Sequence, residues 1–208
     1  MNESHDHADD DHDHDDPDHA DGHHTFPAEN ADRLEDAAAR YRRVSAEELC
    51  WGLDLPTAGT VLDVGSGTGF YVDDVAPHAG RVVGLDVQSA MHAYYREKGT
   101  PTNVSLLTGS GGEFPLREAS IDAAYTTMTY HELPRVATLS ELARVLVDGG
   151  RLVIADWSAD GGGEGGPPLG ERFTADDAVS HLQDAGFSVV HEAVRPETFL
   201  VVGERDAR

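Results

Sequence analysis

Between residues 60 and 194, short β-branched apolar runs alternate with longer amphipathic ones, and no other feature limits the fold as tightly. TVLDVG (60–65), RVVGLDV (81–87), NVSLLTG (103–109), IDAAYTTMT (121–129) and RLVIADW (151–157) read as strands. Helical spacing separates them. It runs from the glycine-rich turn through about Ala76, over 89–99 with Ser89 as cap, over 133–150 with a glycine stop, and over 174–186 between Thr174 and Gly186. Strands separated by helices make a parallel sheet with right-handed crossovers. The last two runs, FSVVHEAV and TFLVVGE, are joined only by RPE. Three residues cannot make a parallel crossover, so this pair must be antiparallel. The expected fold is an α/β, doubly wound seven-stranded sheet, mostly parallel with an antiparallel last strand, and with helices on both faces.

Two segments precede this alternation. Residues 29–55 have helical spacing: ENADRLEDAAARYRRV with Asn30 at its cap, then SAEELCWGL with Ser45 and Glu48 in a capping-box pattern, closed by Pro56. Residues 1–24 carry seven histidines, ten acids and no base. Like charges without apolar residues cannot build a core. The organisation expected is therefore a disordered acidic tail over 1–28, a helical segment over 29–55 and the main domain over 56–208. His5, His7, His12 and His14, interleaved with aspartates, suit weak divalent-metal binding, but no spacing defines a tetrahedral site.

The formal net charge is -24, from 39 acids against 15 bases, and Lys98 is the only lysine. Such a surface repels nucleic acid and anionic membranes and points to a small-molecule partner. A halophile's cytoplasm accounts for it, because strong salt screens the self-repulsion. No run approaches the length of a membrane helix, and the first residues are polar and acidic, unlike a signal peptide. One cysteine, Cys50, excludes an internal disulfide framework. The expected setting is cytoplasmic.

Chemistry concentrates at VLDVGSGTGF (61–70), where Gly65, Gly67 and Gly69 follow a buried strand. Glycines let the backbone turn tightly and let a ligand approach the main chain. In an open α/β sheet, ligands bind beyond the carboxyl ends of the strands, near the point where strand order reverses. Asp86 closes the second strand, placed to accept both hydroxyls of a ribose. Together these indicate an adenosine-type cofactor, either a dinucleotide or S-adenosylmethionine. The turn is not Gly-x-Gly-x-x-Gly, Asp63 precedes it by two residues, and the sheet ends in a reversed hairpin. All three favour S-adenosylmethionine.

VLDVGSGTGF, VVGLDVQSAM, EFPLREASIDAAYTTMTYHEL, ELARVLVDGGRLVIADW and LQDAGFSVV resemble, in order, successive motifs of class I S-adenosylmethionine-dependent methyltransferases. The similarity is strongest to small ones of the ubiquinone/menaquinone-biosynthesis type. The resemblance implies a Rossmann-like domain that binds S-adenosyl-L-methionine. Gly65, Ser66, Gly67 and Gly69 would line its methionine part, with Asp63 near the amino group. Asp86 would hold the ribose and Val87 would pack on the adenine. Relatives usually carry an acid after strand three; here Ser110 stands in its place with Gly111 beside it, which implies a weaker adenine contact.

Methyl transfer from a sulfonium needs alignment and dryness more than acid–base chemistry. A base is required only where the acceptor must lose a proton. His131, after strand four, is the candidate, because its ordinary pKa lies near neutrality. Tyr41, Thr127, Tyr130 and Trp157 are the candidate acceptor contacts, and the glycine- and proline-rich stretch 158–173 is expected to act as a flexible lid. The alternative function is a metal-handling or regulatory protein that uses the same fold for binding only.

Overall fold

The computed structural model describes residues 26–56 and 58–207; the histidines proposed as metal ligands, His5, His7, His12 and His14, lie outside them. Seven strands form one sheet: β1 (Thr60–Val64), β2 (Arg81–Asp86), β3 (Val104–Thr108), β4 (Ile121–Thr127), β5 (Leu146–Trp157), β6 (Phe187–Val194) and β7 (Thr198–Arg205). Their spatial order is β3-β2-β1-β4-β5-β7-β6. β1 to β5 pair in parallel, and β7 runs antiparallel between β5 and β6. The mixed sheet with a reversed last strand is the expected architecture.

Alternation of side chains along each strand explains the two layers of helices. Leu62, Val64, Leu152 and Ile154 face one side, where α5 (Arg135–Val145) and α6 (Ala175–Asp184) bury Leu139, Leu142, Ala178 and Leu182. Val61, Val153 and Ala155 face the other. There α2 (Ala46–Leu53), α3 (Phe70–Val75) and α4 (Ser89–Lys98) supply Leu49, Leu53, Val72, Val75 and Tyr95. Burying one such side chain contributes about 1.5–3 kcal/mol. The connection from β1 through α3, β2 and α4 to β3 covers one face; that from β4 onward covers the other. Strand order therefore reverses between β1 and β4, and the crevice at their carboxyl ends is the natural ligand site.

Local chemistry departs from expectation at several ends. Upstream of β1, a 3-10 segment (Ala28–Glu35) precedes the short α1 (Ala37–Tyr41). Asn30 lies inside that segment and caps nothing; Asp36 caps α1 through the Ala39 N–H. Ser45 and Glu48 do form the capping box of α2. Ser89 is the first residue of α4 rather than its cap, and the Asp86 carboxylate takes the Gln88 N–H instead. The helix before β5 stops at Val145, five residues short of its expected end at Gly150, because Leu146 already pairs with Ile121. The register then shifts, so that Ala123 faces Arg151.

Candidate functional site

The crevice between β1 and β4 opens into a cavity of about 890 Å³, within the range of small-molecule sites. Its floor is the turn after β1. Gly65, Gly67 and Gly69 all have positive φ, at 80°, 52° and 77°. A Cβ on Gly65 would stand 2.3 Å from Thr129, and one on Gly69 would stand 2.2 Å from the Tyr95 ring. Gly67 has open space above it, with only Leu34 at 3.6 Å. Two glycines thus make room for the protein itself, and Gly67 faces the cavity. Gly69 is not a lining residue; it seats the turn on α4. Asp63 does not line the cavity either. It is buried one layer beneath the turn, 2% exposed.

The turn is locked to β2. The Gly65 and Ser66 N–H groups both donate to the Leu85 carbonyl, and the Gly67 N–H donates to Asp86 Oδ2 at 2.8 Å. Asp86 Oδ1 accepts from the Gln88 N–H at 2.8 Å. A carboxylate has about four acceptor positions, so each oxygen of Asp86 keeps capacity for a ligand hydroxyl. Val87 is 58% exposed on the rim. Ser110 and Gly111 close that end, with Ser110 Oγ accepting from the Gly112 N–H.

Arg33, Arg40 and Arg43 reach the cavity from the N-terminal helices. Arg40 stacks over Phe70 and Tyr71, and its buried Nε has no hydrogen-bond partner among the described residues. Beneath it, burial pushes the Asp63 carboxyl up to about 8, a rise that Tyr125 and Arg40 only partly offset. Asp63 Oδ1 likewise lacks a partner of good geometry. Arg40 was missed in the sequence, where its neighbours in the RYRR run gave no sign of which side chain turns inward.

At the opposite wall, Met128 adopts φ 56°, a costly conformation for a side chain of its size. It bends the chain leaving β4 so that His131 crosses the end of β5. Asp156 receives it: the His131 N–H donates to Oδ2 at 2.7 Å, and Nδ1 lies 3.0 Å from both oxygens. The Trp157 N–H donates to Oδ1 at 2.7 Å. Glu132 Oε1 stands 3.6 Å from His131 Nε2. Burial lowers the His131 pKa, but the hydrogen bond and charge of Asp156, with Glu132 and Glu171, raise it further, so the net shift is upward. Burial pushes Glu132 up to about 7.

Thr127, His131 and Trp157 line the cavity; Tyr41 and Tyr130 do not. Tyr41 lies on the outer surface, its hydroxyl on Asp74 and its ring against Phe70. Tyr130 turns into the core, where its hydroxyl meets His181 Nδ1 at 3.0 Å. Two guanidinium groups stack over the Trp157 ring, Arg43 at 4.5 Å and Arg172 at 5.1 Å from its centre.

The stretch 158–173, expected to be a flexible lid, forms one wall of the cavity and is tied down by side-chain hydrogen bonds. Arg172, with only 1% of its side chain exposed, donates to the carbonyls of Ser158, Gly165 and Pro167. Glu197 pairs with Arg172 and accepts the Gly162 and Gly163 N–H groups. Gly166, at φ 79°, passes so close over Trp157 that a Cβ there would stand 2.4 Å from the ring.

The family model of a methyltransferase domain matches residues 62–154. An S-adenosylmethionine-dependent methyltransferase from Aquifex aeolicus superposes with a TM-score of 0.78 at 28% identity, covering 86% of this chain and 99% of that one. An O-methyltransferase of Aspergillus nomiae is 29% identical over 178 residues, 78% of this chain and 77% of its own length. A demethylmenaquinone methyltransferase of Beutenbergia cavernae is 31% identical over 145 residues, 64% of this chain and 59% of its own length. A bifunctional biotin-biosynthesis protein of Cellvibrio japonicus is 33% identical over 96 residues, and there the chain spans only 19% of the relative's length.

Proposed function

Because the chain belongs to the class I S-adenosylmethionine-dependent methyltransferases, we propose that it transfers a methyl group from S-adenosylmethionine to a small-molecule acceptor. The supporting observation is the cavity at the strand-order reversal, floored by the Gly65–Gly67 turn and tied by Gly67 to Asp86.

The residues present fit the cofactor. Its amino-acid end carries a carboxylate, and Arg40, which lines the cavity, has a buried Nε without a hydrogen-bond partner among the described residues; Asp63, one layer beneath the turn, braces it from behind. Gly65, Ser66 and Gly67 would lie along that end, Asp86 would take the ribose hydroxyls, and Val87, Ser110 and Gly111 would bound the adenine. Gly69 supports the turn from behind. When bound, the cofactor supplies an electrophilic methyl group with a neutral thioether as leaving group. The protein then has to orient the acceptor and exclude water. Thr127, His131 and the edge of Trp157 bound the space left for the acceptor, and His131 is the group placed to take a proton.

Calorimetric titration with S-adenosylmethionine is the test. Wild type should bind one equivalent. Asp86→Ala should weaken binding about 100-fold, since a charge-assisted hydrogen bond contributes about 1.5–3 kcal/mol and more than one is lost. No binding by wild type, or equal binding by the variant, overturns the reading. The assignment carries a cytoplasmic, salt-rich setting with it, supported by the acidic balance of the chain. It leaves weak divalent-metal binding to the histidine-rich residues 1–24 as a separate property, to be checked by nickel titration with and without them.

A further inference from the structure

We propose that Asp156, His131 and Glu132 form a proton relay that ionises the acceptor, and that the acceptor is a neutral, weakly acidic hydroxyl compound such as a phenol or an enol. The inference rests on the methyltransferase reading and narrows its substrate class.

The geometry fixes the direction of the relay. Asp156 is 1% exposed and accepts two backbone N–H groups together with His131 Nδ1. A carboxylate in that position can only accept, so the imidazole carries its proton on Nδ1 and presents the Nε2 lone pair. No hydrogen bond reaches Nε2 among the described residues, and both His131 and Glu132 line the cavity. Asp156 is a positioning residue, acting through the imidazole. His131 is the base, and Glu132, 3.6 Å beyond Nε2, is where the proton goes next. The strained Met128 that turns the chain across β5 is the backbone cost of bringing these three groups together.

The step balances. The acceptor O–H bond breaks as its oxygen takes the methyl group, the electron pair of the old sulfur–carbon bond stays on sulfur, and the proton passes to Nε2. From there it moves to Glu132 and solvent. The surrounding charges select the acceptor. The groups facing the imidazole are Asp156 on β5, Glu132 on its own turn and Glu171 in the 158–173 wall. They would hold an amine as its unreactive ammonium and would repel a carboxylate. A thiol, with an ordinary pKa of about 8.5, ionises with less help than a phenol at about 10. A neutral hydroxyl is both admitted and in need of the base.

Two measurements test this on the full chain saturated with S-adenosylhomocysteine or S-adenosylmethionine. Nitrogen NMR of the histidine rings should show His131 with its proton on Nδ1 and a titration midpoint above the ordinary value. Asp156→Asn and Glu132→Gln should each lower that midpoint. The opposite tautomer, or a midpoint that neither variant moves, overturns the relay. Methyl transfer is then followed with phenol, 4-nitrophenol, thiophenol and aniline as probes. His131→Asn should slow the phenol reaction by about 10²-fold or more. It should barely slow that of 4-nitrophenol, which ionises without help near neutral pH. Equal losses on both phenols, transfer only to thiophenol or aniline, or no O-methyl product from either phenol overturns the proposal. Affinity for S-adenosylhomocysteine unchanged within about threefold shows that a variant is folded. Failure of wild type to bind S-adenosylmethionine is the separate result that would remove the methyltransferase reading itself.

Discussion

Asp63 shows how much a single buried group can tie stability to pH. Burial raises its carboxyl to about 8, far above its ordinary value. Between about pH 4 and about pH 8 the folded protein therefore holds a proton that the unfolded chain has released, and stability falls as pH rises through that window. Asp63→Asn removes the effect. Its melting temperature should equal or exceed that of wild type at pH 8, and the advantage should shrink toward pH 5, measured by thermal denaturation without ligand. Gly69 makes a second prediction. Its φ of 77° and the fully buried Tyr95 ring, anchored through its hydroxyl to Asp73, leave no room for a methyl group. Gly69→Ala should cost about 3 kcal/mol in urea unfolding, as left-handed strain and overpacking combine. The glycines and Asp86 were legible in the sequence because backbone conformation and strand ends are local properties. The roles of Arg40, Tyr41 and Tyr130 were not, since whether a helical or loop side chain turns inward depends on partners such as Asp74 and His181, dozens of residues away.

At the level of elements, the 158–173 segment departs furthest from its composition. Glycine and proline suggested motion, yet Arg172 and Glu197 hold the segment from both sides and Gly166 lies flat against Trp157. Glycine served close approach here, which composition alone cannot separate from freedom. Arg172→Ala should cost about 3–5 kcal/mol, because it leaves the buried carbonyls and Glu197 without their cation. It should also open the segment to limited proteolysis, read as new cleavage within 158–173 under conditions that leave wild type intact. Glu197→Gln keeps part of the network and should lose less. The strands, by contrast, were readable to within one or two residues except at the start of β5, since a short, nearly continuous apolar run is what a strand covered on both faces requires; β6 alone alternates buried and exposed side chains. The end of α5 was not, because pairing of Leu146 with Ile121 overrides the glycine stop.

For the whole molecule, the charge imbalance sets the conditions in which the fold is worth most. With 39 acids and 15 bases, self-repulsion opposes compaction unless salt screens it. Screening length falls from about 10 Å at 0.1 M to about 3 Å at 1 M. The thermal midpoint should therefore climb steadily over that range of potassium chloride; a flat or falling midpoint would refute the salt-adapted surface. The sheet's order has a different consequence, one of timing. β7, which follows β5 and β6 in the chain, inserts between them. Until it emerges from the ribosome, β5 and β6 each present an open ladder to a crowded cell, and neither can pair with the other in its final place. Synthesis thus passes through an interval in which the ligand crevice between β1 and β4 can already be shaped while the far half of the sheet is still exposed. Chaperone dependence should be concentrated in that interval.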